Sequence, residues 1–266
     1  MFEGHVGQPV GVRVPPRAPS YGRFVSMLNL VSFQNATAGD ILTFGAYPQT
    51  ADGTDKTPIQ WDVLHNSGKE LLILSKYILD CRRYHGDYTN TSWKECDLRK
   101  WLNGEFYQTT FQSTEKQAIL VSHCTDNGED SPDTDDRIFL LSVKEAREWT
   151  GKVTLHSSGV SRRAIGTEFA RVKKADGCKL YMYDKRGNED YVLAHGHEVG
   201  CSWWWLRTRG QKEIEGSGGE KMNDASRAFF VGTRSSIRSY ARVNLSGYGV
   251  RPALRLSLEC KTRALN

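Results

Sequence analysis

No stretch of the 266-residue chain approaches the ~18 consecutive apolar residues that a membrane-crossing helix needs, so helical insertion is excluded. The first residues carry no basic region followed by an apolar run and a small-residue cleavage site. A cytoplasmic location is therefore expected, with surface or virion display as the alternative. Nucleotide and hydrolase signatures are missing too: there is no GxxxxGK[ST], no GxGxxG after a strand and no GxSxG elbow. Gly216-Ser-Gly-Gly219 is a flexible loop without the following lysine that a phosphate cradle requires. Cysteine is sparse. The six residues (Cys81, Cys96, Cys124, Cys178, Cys201 and Cys260) could form three disulfides, but without a secretory signal they read as reduced thiols.

What the chain does have is an uneven charge. The formal net charge is +5. Residues 200–266 hold twelve basic residues against five acidic ones, and residues 1–26 hold three against one. The body between them is therefore acidic, with a deficit of four. Residues 1–26 contain Pro9, Pro15, Pro16 and Pro19, which break every periodicity and predict an extended or disordered leader. The string from Gly11 to Ser20 resembles translation through the end of a transfer-RNA gene, which implies a natural start nearer Met27.

The elements follow from periodicity. Ile41, Leu42, Phe44 and Tyr47 predict a short strand ending at Pro48. Residues 58–65 alternate Ile59, Trp61 and Val63 with polar partners, and residues 70–75 return as a more buried strand after the Asn66–Lys69 turn, forming a hairpin. Leu98, Trp101, Leu102 and Phe106 form one helical stripe, which Asn103-Gly104 ends or kinks. Ser113 or Thr114 is placed as the cap of a second short helix. An acidic loop from Thr125 to Asp136 precedes a strand over residues 137–141. Ser142 and Glu145 then form a capping box before Ala146 and Trp149. Residues 163–172 read as a helix and 179–183 as a strand, followed by Trp203-Trp-Trp-Leu206 and a polar loop over 208–224. The final strands are placed at 228–231 and 250–258. Short strands with a few short helices and no repeating alternation indicate α+β.

Constellations with metal-ligand chemistry exist but lack metal-site spacing. His195 and His197, with Cys201 and Cys178, could supply tetrahedral ligands, yet their spacing matches no paired zinc knuckle. Asp126, Glu129, Asp130, Asp133, Asp135 and Asp136 crowd one loop, but the glycine and terminal glutamate of a helix–loop–helix calcium site are absent. No metal or other cofactor is expected, and no catalytic residue is assigned.

The C-terminal quarter interleaves arginines with aromatics. Trp203, Trp205, Arg207, Arg234, Arg238, Tyr240, Arg242, Asn244 and Tyr248 are the candidate binding residues. Guanidinium groups and rings together favour anionic or planar ligands through bidentate hydrogen bonds, stacking and cation–π contact. Strand alternation must direct either Trp204, or Trp203 and Trp205 together, into the core. Nucleic acid is disfavoured because the acidic body opposes the basic quarter and no recognition motif is present.

Several strings taken in order resemble a bacterial family of domains of unknown function found in gut Firmicutes and their mobile elements. They are Phe44-Gly-Ala-Tyr-Pro-Gln49, Pro58-Ile-Gln-Trp-Asp-Val-Leu64, Leu72-Ile-Leu-Ser-Lys-Tyr-Ile-Leu-Asp-Cys81 and Cys96-Asp-Leu-Arg-Lys-Trp-Leu-Asn-Gly-Glu-Phe-Tyr107. Phe139-Leu-Leu-Ser-Val-Lys-Glu-Ala146, Trp204-Trp-Leu-Arg207 and Gly249-Val-Arg-Pro-Ala-Leu254 complete the series. The ending also resembles the C-type-lectin-like group that includes formylglycine-generating enzymes and retroelement variable proteins. That resemblance implies one α+β domain over residues 40–258, with a small twisted antiparallel sheet, two short helices and much irregular structure. In the variable proteins the ligand face precedes the last strand, which corresponds here to residues 234–248 beside Trp204–Arg207. The lectin calcium motifs Glu-Pro-Asn and Trp-Asn-Asp do not occur.

Three functions are expected in order. The first is a non-enzymatic module that binds a protein or other macromolecule through its Arg/Trp/Tyr surface. The second is a display protein diversified by a retroelement. The third is a formylglycine-generating-like metalloenzyme using Cys201, Cys260 or a histidine.

Overall fold

A computed structural model describes residues 33–151, 159–183, 200–214 and 218–259. The leader 1–26, the pair His195 and His197, and Cys260 lie outside them. The molecule is a mixed α/β fold, mostly strands with few helices, curled into an antiparallel half-barrel. Its first sheet comprises β1 (Ile41–Tyr47), β2 (Thr57–Asn66), β3 (Glu70–Ser75) and β13 (Ala253–Ser257), in the order β1-β2-β3-β13 and antiparallel throughout. The second comprises β4 (Asp80–Cys81), β9 (Trp204–Glu213), β10 (Lys221–Val231), β11 (Ile237–Arg242) and β12 (Gly249–Val250), in the order β11-β10-β9-β12-β4. Only its β12–β9 pairing is parallel. Two small two-stranded sheets pair β5 (Ser122–Cys124) with β6 (Thr134–Asp136), and β7 (Thr150–Gly151) with β8 (Val160–Ser161).

The chain crosses between the two large sheets twice, from β3 to β4 and from β12 to β13. Arg251 sits on the second crossing and is 1% exposed. Its Nε donates to Ser75 O (2.7 Å), Nη1 to Ser161 O (2.9 Å) and Nη2 to Asp62 Oδ2 (3.0 Å). One side chain thus ties β2, the end of β3 and β8 to the crossing. Burial lowers its pKa to about 10, against the pull of Asp62. Close backbone approach accompanies the crossing: a Cβ at Gly249 would lie 2.3 Å from Ile78 Cγ2.

The helices are α1 (Asp97–Trp101), a π-helical turn over Leu102–Phe106, α2 (Tyr107–Thr110), α3 (Ser113–Ala118), α4 (Val143–Trp149) and α5 (Glu168–Arg171). That is more than the two the resemblance implies. Asn103-Gly104 does not end the helix. It widens one turn, and Asn103 uses the freed geometry to bridge elements: its Nδ2 donates to Ile138 O (2.9 Å), while its Oδ1 accepts from Arg137 N (2.8 Å). The expected capping box forms at α4, with Glu145 N donating to Ser142 Oγ (3.1 Å) and Ser142 N to Glu145 Oε2 (2.8 Å). At α3 the cap is Gln112, not Ser113 or Thr114, because Glu115 Oε2 accepts from Gln112 N.

Five readings are corrected. The strand expected over 137–141 is a single bridge, Phe139 to Ala253, because Asn103, Ala253 and Arg207 take its backbone groups. The strand falls instead at β6, inside the acidic loop. The polar loop expected over 208–224 is the β9–β10 hairpin, which tertiary pairing stabilises despite its composition. Helix 163–172 shrinks to α5, and 179–183 holds one bridge, Met182 to Ser202. Finally, β11 occupies a segment read as irregular.

One apolar core spans both sheets. Trp61, Trp93, Trp204 and Trp205 are fully buried, each contributing roughly 4–6 kcal/mol of gross apolar burial. Their indole N–H groups all find acceptors: Phe44 O, Asp136 Oδ2, Arg162 O and Arg82 O respectively. Among the described residues no helix is long and apolar enough to cross a membrane.

Candidate functional site

Strand β11 is the last of its sheet, and its residues alternate strictly. Ser239 and Ala241 are buried, and Ile237 is half-buried; Arg238, Tyr240 and Arg242 are exposed. Successive strand residues face opposite sides, so the three long side chains form one outward row. Tyr240 is 52% exposed and rests edge-on against Phe230, with ring centroids 5.5 Å apart. The Arg242 guanidinium lies over the ring of Tyr88, 4.9 Å from its centroid.

Behind this row the rings continue inward. Half-buried Trp203 stacks on exposed Tyr181 at 3.8 Å, and lies 5.2 Å from Tyr248. Tyr248 stacks on Trp205 at 4.1 Å, and Trp205 meets Tyr84 edge-on. Phe230 touches Trp203, Tyr240 and Tyr248. The exposed rings are therefore held by buried ones, which lowers the ordering cost when they bind.

The candidate residues divide accordingly. Trp203, Arg238, Tyr240 and Arg242 belong to the row or adjoin it. Trp205 and Tyr248 are at its back, buried, and present nothing to a partner. Burial drives the Tyr248 hydroxyl well above its ordinary pKa, so it stays neutral. Asn244 is half-buried, its carbonyl accepting from Arg83 Nε (3.2 Å). Arg234 is exposed, but it sits in the β10–β11 turn at the opposite end of β11 from Arg242.

Arg207 is an interior residue, 2% exposed. Its Nε donates to Asn127 Oδ1 (2.8 Å), Nη1 to Leu140 O (2.8 Å) and to Glu145, and Nη2 to Thr125 O (2.8 Å). Burial opposes its charge, but the Glu145 carboxylate overrides that and raises the pKa. Every Arg207 donor group is engaged by the protein itself, so it serves the fold. The Trp alternation resolves differently from either expected arrangement: Trp204 and Trp205 are both buried, on opposite faces, and only Trp203 reaches the surface.

The nucleophile and metal candidates among the described residues are buried or paired within the fold. Cys81, Cys96, Cys124 and Cys178 are free thiols, and these four and Cys201 are buried. Burial pushes the thiols of Cys96 and Cys124 up to about 12 and that of Cys178 to about 11, which suppresses the thiolate. The acidic loop does not converge. Asp136 is buried, paired with Arg99 Nε (2.6 Å) and accepting from Trp93 Nε1, while exposed Asp135 faces His123. Among the described residues no group of three or more His, Cys, Asp or Glu side chains could hold a metal ion.

Sequence reasoning missed Tyr181 and Tyr88 because nothing local links them to β11. The outward row itself carried a signal, the period-two alternation from Ile237 to Arg242. No curated protein and no solved structure matches the chain. A family model described as Domain of unknown function (DUF6273) matches residues 68–258. The match begins in the β2–β3 turn, although β1 and β2 complete the same sheet. Because it covers well over half of the 266 residues, the chain belongs to the family Domain of unknown function (DUF6273).

Proposed function

We propose that the domain is a non-enzymatic binding module whose partner is an acidic, extended segment of another protein, received along the outer row of β11. One observation carries this reading: Arg238, Tyr240 and Arg242 project from one face of an edge strand, beside Trp203, Tyr181 and Tyr88. Arginine and aromatic side chains dominate interface hot spots, and an edge strand offers main-chain pairing to an added strand. A partner laid along β11 would set carboxylates against Arg238 and Arg242 with an apolar residue over Tyr240.

Other features support a binding role more weakly. The basic surplus of the C-terminal quarter survives the burial of Arg207 and Arg251, since the β11 arginines remain at the surface. A C-type-lectin-like arrangement is the finer fold we infer, supported by the terminal strand crossing between sheets at Gly249–Leu254; an experimental structure tests it.

The test is fluorescence anisotropy with a labelled peptide alternating glutamate and valine. Wild-type protein should bind it, and Arg238→Ala/Tyr240→Ala/Arg242→Ala should weaken binding by more than about tenfold. The melting temperature should be unchanged, because all three side chains are exposed. Equal binding by the triple variant, or none by the wild type, sinks the reading.

A further inference from the structure

A second site lies at the Ile237 end of the same strand and reaches its inward side. A groove of about 850 Å³ runs between α4, the 126–129 loop and strands β9, β10 and β11. Its size is within the roughly 300–1,000 Å³ of small-ligand sites. Phe229 and the inward-facing Ile237 give it an apolar floor.

Its charge is unbalanced. Lys144, Arg147, Arg209, Lys221 and Arg238 line it, against Asp126, Glu129 and Glu148. Two of the three carboxylates are already engaged: Asp126 accepts from Lys144 N (3.3 Å), and Glu129 from the Asn223 amide. Among the described residues no salt bridge involves any of the five cations; those of the region, such as Arg207 with Glu145, lie elsewhere. Arg209 is the most telling. Its Nη1 donates to Glu129 O (3.1 Å), but its Nε is buried with no partner. The protein thus leaves part of the hydrogen-bonding capacity of this groove-lining guanidinium unfilled. Near the end of α4, Arg162 adds a further cation whose partners among the described residues are carbonyls and a hydroxyl: Ala146 O, Thr150 Oγ1, Ser235 O and Thr150 O. Burial lowers its pKa and the nearby Arg147 charge lowers it further.

We propose that this groove binds a small organic polyanion, one that carries at least two carboxylate or phosphate groups and contacts Arg147, Arg209 and Lys221. The site shares only Arg238 with the peptide-binding row and does not depend on that reading. The apolar floor accommodates the carbon skeleton between the anionic groups, and the open mouth admits a ligand without movement of the sheet.

The experiment is calorimetric titration of the full chain with citrate and with a sugar bisphosphate, with a hexaglutamate peptide as the third arm. At least one small anion should bind with Kd below about 1 mM, and more weakly as salt rises. Arg147→Ala/Lys221→Ala should weaken that binding about tenfold or more, and Arg209→Gln should weaken it as well. The first pair is exposed, so its melting temperature should hold. Arg242→Ala, at the other end of β11, should leave anion binding intact while weakening the glutamate–valine peptide. The proposal is overturned if neither small anion binds, if Arg147→Ala/Lys221→Ala binds them as wild type does, or if only the hexaglutamate peptide occupies the groove.

Discussion

Replacing Arg251 isolates what holds the two sheets together. In Arg251→Ala, Asp62 loses its 3.0 Å partner, and the Ser75 and Ser161 carbonyls lose charged donors. Removing one member of a buried pair costs about 3–5 kcal/mol, mostly because the remaining charge is left uncompensated. The cavity beneath the guanidinium, which lies 5.3 Å from the Trp204 ring, adds to this. The total is a large part of the ~5–15 kcal/mol that a domain of this kind holds. At roughly 2–4 °C per kcal/mol, a loss of about 4 kcal/mol lowers Tm by ~8–16 °C. Urea unfolding followed by tryptophan fluorescence reads the free energy directly. The companion variants separate charge from shape. Arg251→Met keeps much of the volume but strands Asp62, so it should remain destabilised. Adding Asp62→Asn removes the stranded charge and should restore about 1–2 kcal/mol. The reasoning would be refuted by Arg251→Ala unfolding within about 1 kcal/mol of wild type, or by a double variant no more stable than Arg251→Met.

Three further outcomes are expected. In native protein at mild alkaline pH, iodoacetamide should leave Cys81, Cys96, Cys124, Cys178 and Cys201 unlabelled in site-resolved mass spectrometry, and unfolding should expose all five; rapid native labelling of any of them contradicts the burial. His123, held by Asp135 at 2.9 Å, has a pKa raised above its ordinary 6.5, chiefly by that hydrogen bond. The contact therefore favours the fold below that value and is lost as pH rises through the elevated one, so a proton NMR titration should show a high midpoint that Asp135→Asn brings down. Gly210→Ala would place a Cβ 2.4 Å from Ser239 O and 2.7 Å from the Arg227 backbone, so it should cost more than about 2 kcal/mol by urea unfolding; a cost below about 0.5 kcal/mol would show that β11 can yield.

Much of the first sheet was legible in the residues. The alternation of Ile59, Trp61 and Val63, the turn at 66–69 and the return over 70–75 are local patterns, and the hairpin forms where they put it. The Ser142/Glu145 capping box is equally local, its two hydrogen bonds spanning three residues. Half-buried strands and caps depend on neighbours a few positions away, so a single sequence suffices to find them.

The candidate site was only partly legible. Arg207, Arg251 and Arg242 are the same residue type in similar aromatic-rich contexts, yet two are buried and one lies over Tyr88 at the surface. What separates them is partners remote in sequence. Arg251 meets Asp62 across 189 positions, and Arg207 meets Asn127 across 80. The β9–β10 hairpin likewise forms through a polar, glycine-bearing stretch because cross-strand pairing outweighs local propensity. By itself the sequence determined the first-sheet hairpin, the α4 capping box and the arginine–aromatic chemistry of the C-terminal quarter. Only the tertiary structure decided which arginines carry the fold and which face solvent, because burying a charge depends on whether distant chain brings an acceptor to it.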